Sequence, residues 1–109
     1  MTWLEAKLVI PSMPNKGGKI APAEYARRLE AIEYFIGSTF GGFTVVDGRG
    51  VWCDGTKDIY EPVRIYTIAY ESSVALCAAM DTGRDTIKER LDQKAVYLSH
   101  TVLTGPAIT

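Results

Sequence analysis

The chain has few of the residues that mark a catalytic or metal site. His100 is the only histidine, and the two cysteines, Cys53 and Cys77, stand far apart in the sequence. A two-histidine catalytic motif is therefore excluded, and neither cysteine has the close partner that a zinc site uses. A Gly-x-Ser-x-Gly nucleophile motif is also missing. The sequence predicts no catalytic residue, no metal site and no cofactor.

The chain also lacks an excess of charge and any long apolar run. Twelve basic and thirteen acidic residues give a formal net charge of −1, so no general attraction to long nucleic acid or to an anionic membrane is expected. Glu5 and Lys7 interrupt the segment that would be apolar in a signal peptide, and no stretch approaches transmembrane length. We expect a cytosolic protein that does not bind membranes.

The length and the amino-acid composition of the chain are typical of one globular domain. The 109 residues are 47% hydrophobic and 23% charged, which is enough for a single modest core. We predict one domain over residues 1–109. In a reducing compartment both cysteines are expected to be small buried hydrophobic residues, with a disulfide as the alternative.

Hydrophobic periodicity and turn residues divide the chain into strands and helices. Pro22 suits the first turn of a helix, and Gly37 is a plausible end for it. The turn signal Asp47-Gly48-Arg49-Gly50 predicts a hairpin of two short strands within Phe40–Trp52. A second turn signal, Asp54-Gly55-Thr56-Lys57, leads into the following long strand. Pro62 places its end of the following long strand at an edge or a bulge. The predicted elements are a strand over 3–10, a helix over 22–36, the hairpin over 40–52, a strand over 59–71, a helix over 73–92 that Gly83 bends or breaks, and a strand over 94–103.

The order β-α-β-β-β-α-β predicts an α+β fold. In a domain of this size it indicates a ferredoxin-like two-layer sandwich, with an antiparallel sheet and two helices on one face. The alternative is an open sheet or another α+β topology.

Three segments of the chain resemble a loose group of short bacterial and phage proteins of ferredoxin-like fold. They are Phe40–Trp52, Glu61-Pro62 and Leu91–Tyr97. The resemblance implies the fold, self-association and an accessory role in the cytoplasm, which is the host cytoplasm for a phage-encoded protein. It implies no catalytic residue.

A two-layer sandwich leaves one sheet face without helices, and strand alternation predicts the side chains on that face. They are Trp3, Glu5, Lys7, Tyr60, Arg64, Tyr66, Tyr70 and Tyr97. Aromatic rings among charges suit self-association through the sheet. They also suit a flat ligand, such as a base stacked on a ring and paired with Arg64. A one-residue slip of register would turn this set inward.

The loop Asn15–Lys19, just before the first helix, is a second candidate site. Its lysines, its exposed amides and the helix dipole would attract phosphate or carboxylate, although Ile20 departs from the pattern of a nucleotide-triphosphate loop. The alternative is a solvated loop. The predicted ligand-binding residues of both sites are Lys16, Lys19, Arg27, Arg28, Trp52, Tyr60, Arg64, Tyr66 and Tyr97, with Arg49 and Trp52 at the rim.

These features predict a small non-enzymatic binding protein. We expect a homo-oligomer that captures a small anionic or nucleotide-like ligand at a subunit boundary. If the protein is phage-derived, as the resemblance allows, this ligand would be a host signalling nucleotide that the protein sequesters. One alternative is an inhibitor or accessory factor that binds a host enzyme. The other is a dimeric α+β-barrel enzyme, an isomerase or cofactor-free oxygenase, that uses Tyr60, Glu61 or His100. For His100 to act as a base, Glu5 or Glu61 would have to orient it.

Overall fold

The computed structural model describes residues 2–103 as a four-stranded sheet with two helices. Met1 and residues 104–109 of the predicted domain lie outside this part. The strand order is β2-β3-β1-β4, and all neighbouring strands are antiparallel. The elements are β1 (Trp3–Pro11), α1 (Pro22–Phe40), β2 (Thr44–Asp54), β3 (Lys57–Glu71), α2 (Val74–Arg90) and β4 (Tyr97–Leu103). The predicted ferredoxin-like α+β sandwich is confirmed.

The predicted hairpin within Phe40–Trp52 is wrong. The segment Asp47–Gly50 lies inside β2 and pairs with β3 along its whole length. The chain reverses only at the second predicted turn, between Asp54 and Lys57, where Gly55 has a φ of 65°. A two-residue hairpin turn needs positive φ, which glycine adopts at little cost. The chain therefore has one strand fewer than predicted, in the order β-α-β-β-α-β.

The first helix runs further than the sequence predicts, whereas α2 lies within the predicted range of 73–92. Gly37 lies inside α1, with the Phe43 ring 3.6 Å from the position that its Cβ would occupy. The helix ends at Gly41, which has a φ of 89° and donates its amide to the Gly37 carbonyl. Gly83 does not break α2, which is continuous from Val74 to Arg90. A Cβ at Gly83 would lie 3.3 Å from the Phe35 ring of α1, so glycine there lets the two helices approach closely.

The hydrophobic core lies between the helices and one face of the sheet. Apolar side chains from both layers are almost completely buried there, including Ala6, Leu8, Ile10, Leu29, Ile36, Tyr66, Ile68, Tyr70, Met80 and Ile87. The two helices bury their apolar stripes on the same sheet face, as an amphipathic helix does on a flat partner. No helix within residues 2–103 combines the length and apolarity needed to cross a bilayer.

The face predicted for the side chains of β3 is wrong. Leu8 of β1 pairs with Tyr66 of β3, so the even-numbered residues of both strands share the face that the helices cover. Tyr66 and Tyr70 are buried there, and their hydroxyl groups have no hydrogen-bond partner among the described residues. Burial raises the pKa of both phenols to about 12. The prediction is right for Tyr97 and for the odd-numbered residues of β1.

Strands β2 and β3 project beyond the rest of the sheet as a two-stranded arm, formed by residues 49–54 and 57–62. Strand β1 pairs with β3 only as far as Val63, so the arm strands pair essentially with each other. A single hydrogen bond from the Ser12 amide to the Pro62 carbonyl, 3.0 Å long, marks the start of the arm. Pro62 therefore lies where the sheet narrows, as predicted for a residue without an amide hydrogen.

Candidate functional site

A concave site lies at the base of the arm, where the arm meets the loops after β1 and before β4. We call it the arm cleft, and its volume is about 510 Å³. This volume falls within the range of small-molecule sites, roughly 300–1,000 Å³. The side chains and backbone that line it belong to Pro11, Asn15, Lys16, Trp52, Ile59, Glu61, Gln93, Lys94 and Ala95.

The arm supplies an oriented indole and a carboxylate. Trp52 of β2 pairs with Ile59 of β3, and Glu61, two residues further on, projects from the same face. The indole Nε1 donates a hydrogen bond to Glu61 Oε1 over 2.5 Å. This bond fixes the edge of the indole, while the Trp52 side chain is still 46% exposed. The ring is therefore held in place and accessible to a flat ligand.

Two loops form the opposite wall of the arm cleft. Asn15 Nδ2 donates a hydrogen bond to the Asp92 carbonyl over 2.6 Å, which ties the loop after β1 to the end of α2. Asp92 has a φ of 50°, in the left-handed region that aspartate tolerates better than most residues. This turn leads directly to Gln93 and Lys94. Lys94 and Lys16 of the other loop are both exposed and line the cleft, so one wall carries two cations.

A short chain of hydrogen bonds supports this end of the cleft. Tyr25 of α1 donates its hydroxyl hydrogen to the Pro11 carbonyl over 2.6 Å. The same hydroxyl oxygen accepts from Gln93 Nε2 over 3.2 Å. Burial, with a smaller contribution from the Glu61 carboxylate, raises the pKa of Tyr25 to about 12. The phenol therefore stays protonated at neutral pH and holds the Gln93 amide in position.

Some of the sequence-predicted residues meet in the arm cleft. Lys16, from the lysine-glycine loop, and Trp52, from the arm, line the same cavity although they are far apart in sequence. Tyr97 lies on the open face of the sheet, paired with Val9, and 58% of it is exposed. Lys19 is exposed in the same loop as Lys16 but does not line the cleft.

The predicted arginines lie elsewhere and bond to carboxylates. Arg27 and Arg28 both contact Glu24 of α1, at 2.7 and 3.1 Å. These two hydrogen-bonded guanidinium groups lower the pKa of the Glu24 carboxyl. Arg64 contacts Glu33 of α1 at 3.2 Å, on the helix side of the sheet. The predicted placement of Arg64 on the open face is therefore wrong.

Two predicted tyrosines do not reach the open face. Tyr66 is fully buried in the core. Tyr60 is 59% exposed, but it projects from the face of the arm opposite to Trp52, because neighbouring residues of a strand alternate. The Arg49 guanidinium carbon lies 5.3 Å from the centre of the Tyr60 ring, a cation–π distance. These residues form a separate contact outside the arm cleft.

The histidine does not have the neighbour that the enzyme hypothesis requires. His100 pairs with Ala6 and shares the helix-side face of the sheet, where its ring lies 6.3 Å from that of Tyr70. Glu5 and Glu61 occupy the opposite face. The proposed carboxylate–histidine pair is therefore not formed.

The cysteines differ from their predicted environment. Cys53 is exposed in the arm and donates to Asp58 Oδ1 over 3.1 Å, whereas Cys77 is half-buried in α2. The expectation of burial is wrong for Cys53 because the arm has no second layer. Both cysteines are free. Within residues 2–103, no three His, Cys, Asp or Glu side chains come close enough together to hold a metal ion.

The sequence does not predict that Glu61 and Gln93 line the site with Lys16 and Trp52, and it names Glu61 only as a candidate of the enzyme alternative. A turn at Gly55-Thr56 fixes Trp52 opposite Ile59 and places Glu61 on the same face, so pairing the two strands across that predicted turn is the signal that finds the carboxylate. Gln93 had no comparable signal. Its position depends on the loop after α2 and on the contact with Tyr25.

Comparison with known proteins gives structural similarity without sequence similarity. No family model matches the chain, and no curated protein sequence matches it. A phage SAM lyase in complex with S-methyl-5'-thioadenosine superposes with a TM-score of 0.64 and 12% identity, over 98% of this chain and 93% of that chain. A phage SAM lyase in the apo state gives 0.62 and 14%, over 99% and 94%. CutA1 from Oryza sativa gives 0.59 and 12%, over 95% and 82%.

These similarities show a shared fold. They confirm the predicted structural resemblance to small phage proteins of this type. They also extend that resemblance to a plant protein.

Proposed function

We propose that this protein binds a small nucleoside-like ligand in the arm cleft. One observation supports the proposal: a cavity of about 510 Å³ is lined together by an oriented indole, a carboxylate, an amide and two lysines, which belong to Trp52, Glu61, Gln93, Lys16 and Lys94. A base would stack on Trp52. Glu61 would accept hydrogen bonds from ribose hydroxyl groups, and Lys16 or Lys94 would pair with a carboxylate or phosphate.

The ligand class that we propose first is an adenosyl sulfur compound. The phage SAM lyase that shares the fold was solved with S-methyl-5'-thioadenosine, which contains a base and a ribose. S-adenosylmethionine adds a carboxylate that a lysine would bind. A host signalling nucleotide is the narrower alternative within the same proposal, because it offers the same base, ribose and negative charge.

We also propose that the protein is a homo-oligomer whose copies meet over the arm and the open sheet face. Large apolar side chains are exposed there, namely Val46, Val51, Trp52, Ile59, Tyr60 and Tyr97. A two-stranded ribbon alone is marginally stable in water. The outer edge of β2 also has no neighbouring strand within residues 2–103, and such an edge favours pairing with another chain. A second copy would cover both features and close the arm cleft.

Isothermal titration calorimetry tests the ligand proposal. We expect S-adenosylmethionine or S-methyl-5'-thioadenosine to bind at micromolar concentration, with adenosine and cyclic AMP as comparison ligands. Trp52→Ala and Lys16→Glu should each weaken binding by about tenfold or more, because each removes a principal contact. Tyr34→Ala is the matched control, since it removes an exposed aromatic ring from α1, outside both the arm cleft and the proposed interface. Binding weaker than millimolar for the whole panel would refute the proposal.

Native mass spectrometry tests the assembly at the same time. We expect a dimer or a larger closed oligomer, and Ile59→Lys should shift it to monomer by placing a charge in the interface. A chain that is monomeric at tens of micromolar would contradict self-association but not ligand binding.

A second candidate function is turnover of S-adenosylmethionine. The observation that favours it is the position of Glu61, whose carboxylate lies against the Trp52 indole and would face the positive charge of a sulfonium. The bond between the sulfonium sulfur and the γ-carbon of the methionine moiety would break, with its electron pair staying on sulfur, while the carboxylate of the same moiety bonds to that carbon. Incubation with S-adenosylmethionine should then release S-methyl-5'-thioadenosine and homoserine lactone in equal amounts, detected by chromatography, and Glu61→Gln should reduce the rate strongly. Unchanged S-adenosylmethionine in the presence of saturating protein would leave binding as the function and reject turnover.

A further inference from the structure

A second concave site lies in the helical layer, between α1 and α2. We call it the helix groove, and its volume is about 440 Å³. The groove and the arm cleft have no lining residue in common. Its walls are mainly apolar, with Ile32 and Phe35 from α1 facing Ala79 and Ile87 from α2.

Small residues leave this space open. Gly83 brings the two helices together, because a Cβ there would lie 3.3 Å from the Phe35 ring. Beside that contact, Ala31 and Ala79 are too short to fill the gap between the helix surfaces. Phe35 is consequently 40% exposed, which is unusual for a phenylalanine that packs at a helix contact. The groove therefore presents apolar surface that the chain does not cover within residues 2–103.

Two arginines, Arg90 and Arg28, lie at one end of the groove. Arg90 closes that end, and its carbonyl accepts a hydrogen bond from Arg28 Nη1 over 2.7 Å. Arg27 and Arg28 share one carboxylate, that of Glu24. The Arg90 guanidinium has no carboxylate within 4.0 Å in the part of the chain that the structure describes. The end of the groove thus has more guanidinium groups than carboxylates.

We propose that the helix groove binds an amphipathic anion, with its apolar body between Phe35 and Ile87 and its acid group on Arg90. The groove follows α2 from Ala79 to Arg90, which is about 16 Å at a rise of 1.5 Å per residue. This length suits an acyl chain that ends in a carboxylate. The ligand differs in chemistry from that of the arm cleft, so the two sites would be occupied independently.

Fluorescence titration with 8-anilinonaphthalene-1-sulfonate, followed by displacement with sodium laurate, tests this inference. We expect saturable binding of the dye and its displacement by laurate. Arg90→Glu should weaken dye binding by about tenfold through loss of the charge-assisted contact. Lys88→Glu is the matched control, because it makes the same charge change in the same last turn of α2 but lies outside the groove. Thr86→Phe should weaken binding by filling the groove, and circular dichroism will show which variants are folded.

Three outcomes would overturn the inference. Arg90→Glu and Lys88→Glu that weaken the dye equally would indicate general electrostatic attraction. Loss of binding on Trp52→Ala, with no change on Thr86→Phe, would place the dye in the arm cleft. Binding that laurate does not displace would exclude an acyl ligand.

Discussion

The two ends of strand β3 belong to different physical environments. Between Val63 and Glu71, β3 pairs with β1, as far as Thr67 it also pairs with β2, and it sends alternate side chains into the core. Between Lys57 and Pro62, the same strand has only its β2 partner and no helix above it. Burial of apolar side chains therefore stabilises the part of the domain that the helices cover, which we call the body, whereas cross-strand pairs and one turn stabilise the arm.

This difference explains where the candidate functional residues lie. Where β3 lies in the body, its side chains either pack in the core, as Tyr66 and Tyr70 do, or form an ion pair with α1, as Arg64 does. Side chains of the arm end are free to contact a ligand or another copy, as Trp52 and Glu61 show. The exposed end of the strand carries the function that we propose.

The largest expected difference between the two regions concerns apolar truncation. Ile68→Ala removes a fully buried side chain and should lower the free energy of unfolding by about 2–5 kcal/mol. Ile59→Ala removes a side chain that is 44% exposed in the arm and should cost less than about 1 kcal/mol in the monomer. Urea unfolding followed by circular dichroism, at a protein concentration low enough for the wild type and both alanine variants to be monomeric, measures both. Equal losses would mean that the arm is packed as tightly as the body.

Stability should fall at high pH because of the buried phenols. The pKa values of Tyr25 and Tyr66 rise from 10 to about 12 in the folded chain, mainly through burial. The fold therefore favours the protonated phenol, so this contribution is complete below about pH 10 and is lost between about pH 10 and 12. Each phenol should lower the free energy of unfolding by about 1.4 kcal/mol per pH unit in that range.

The urea midpoint measured from pH 8 to pH 11.5 checks this expectation. A Tyr66→Phe variant should have a shallower decline above pH 10. Tyr60→Phe, which changes an exposed tyrosine of the arm, should keep the wild-type slope. Identical slopes for Tyr66→Phe and Tyr60→Phe would contradict the role assigned to burial.

The smallest expected effect is the difference in unfolding free energy at pH 8 between losing a phenol that has hydrogen-bond partners and losing one that has none. Tyr25 makes hydrogen bonds with Pro11 and Gln93, so Tyr25→Phe should cost about 1–2 kcal/mol. Tyr66 has a buried hydroxyl with no partner among the described residues, so Tyr66→Phe should be neutral or slightly stabilising. Differential scanning calorimetry can resolve the two, and a larger loss for Tyr66→Phe would show that its hydroxyl has a partner in solution.

The sequence predicts the order of the main elements, but it adds one turn that does not form and assigns the wrong face of β3 to the helices. Asp47-Gly48-Arg49-Gly50 and Asp54-Gly55-Thr56-Lys57 are both good turn sequences and both are predicted as turns, because local preference does not show that only the second one forms. The pairing of β2 with β3 over its full length made that selection. In the same way, Tyr66 and Ile65 both suit a buried strand position, so alternation alone did not show which one faces the helices.

Part of the candidate site followed from the sequence as well. Lys16 and Trp52 were recognised from a lysine-glycine loop and an exposed aromatic, because each is a local feature. Their proximity was not predicted, since it depends on where β1 ends relative to the arm. Glu61 and Gln93 join them only through the register of the arm and the loop after α2.

The sequence by itself determined the fold class, the helix that begins at Pro22 and the apolar stripes that bury the helices, because these depend on local periodicity and on residues with restricted backbone angles. The tertiary structure alone decided the face of β3 and the existence of the arm. It also brought the arm, two loops and Tyr25 together in one cleft. Strand register and loop packing join residues that are distant in sequence, and no local pattern of side chains records which partner each strand will choose.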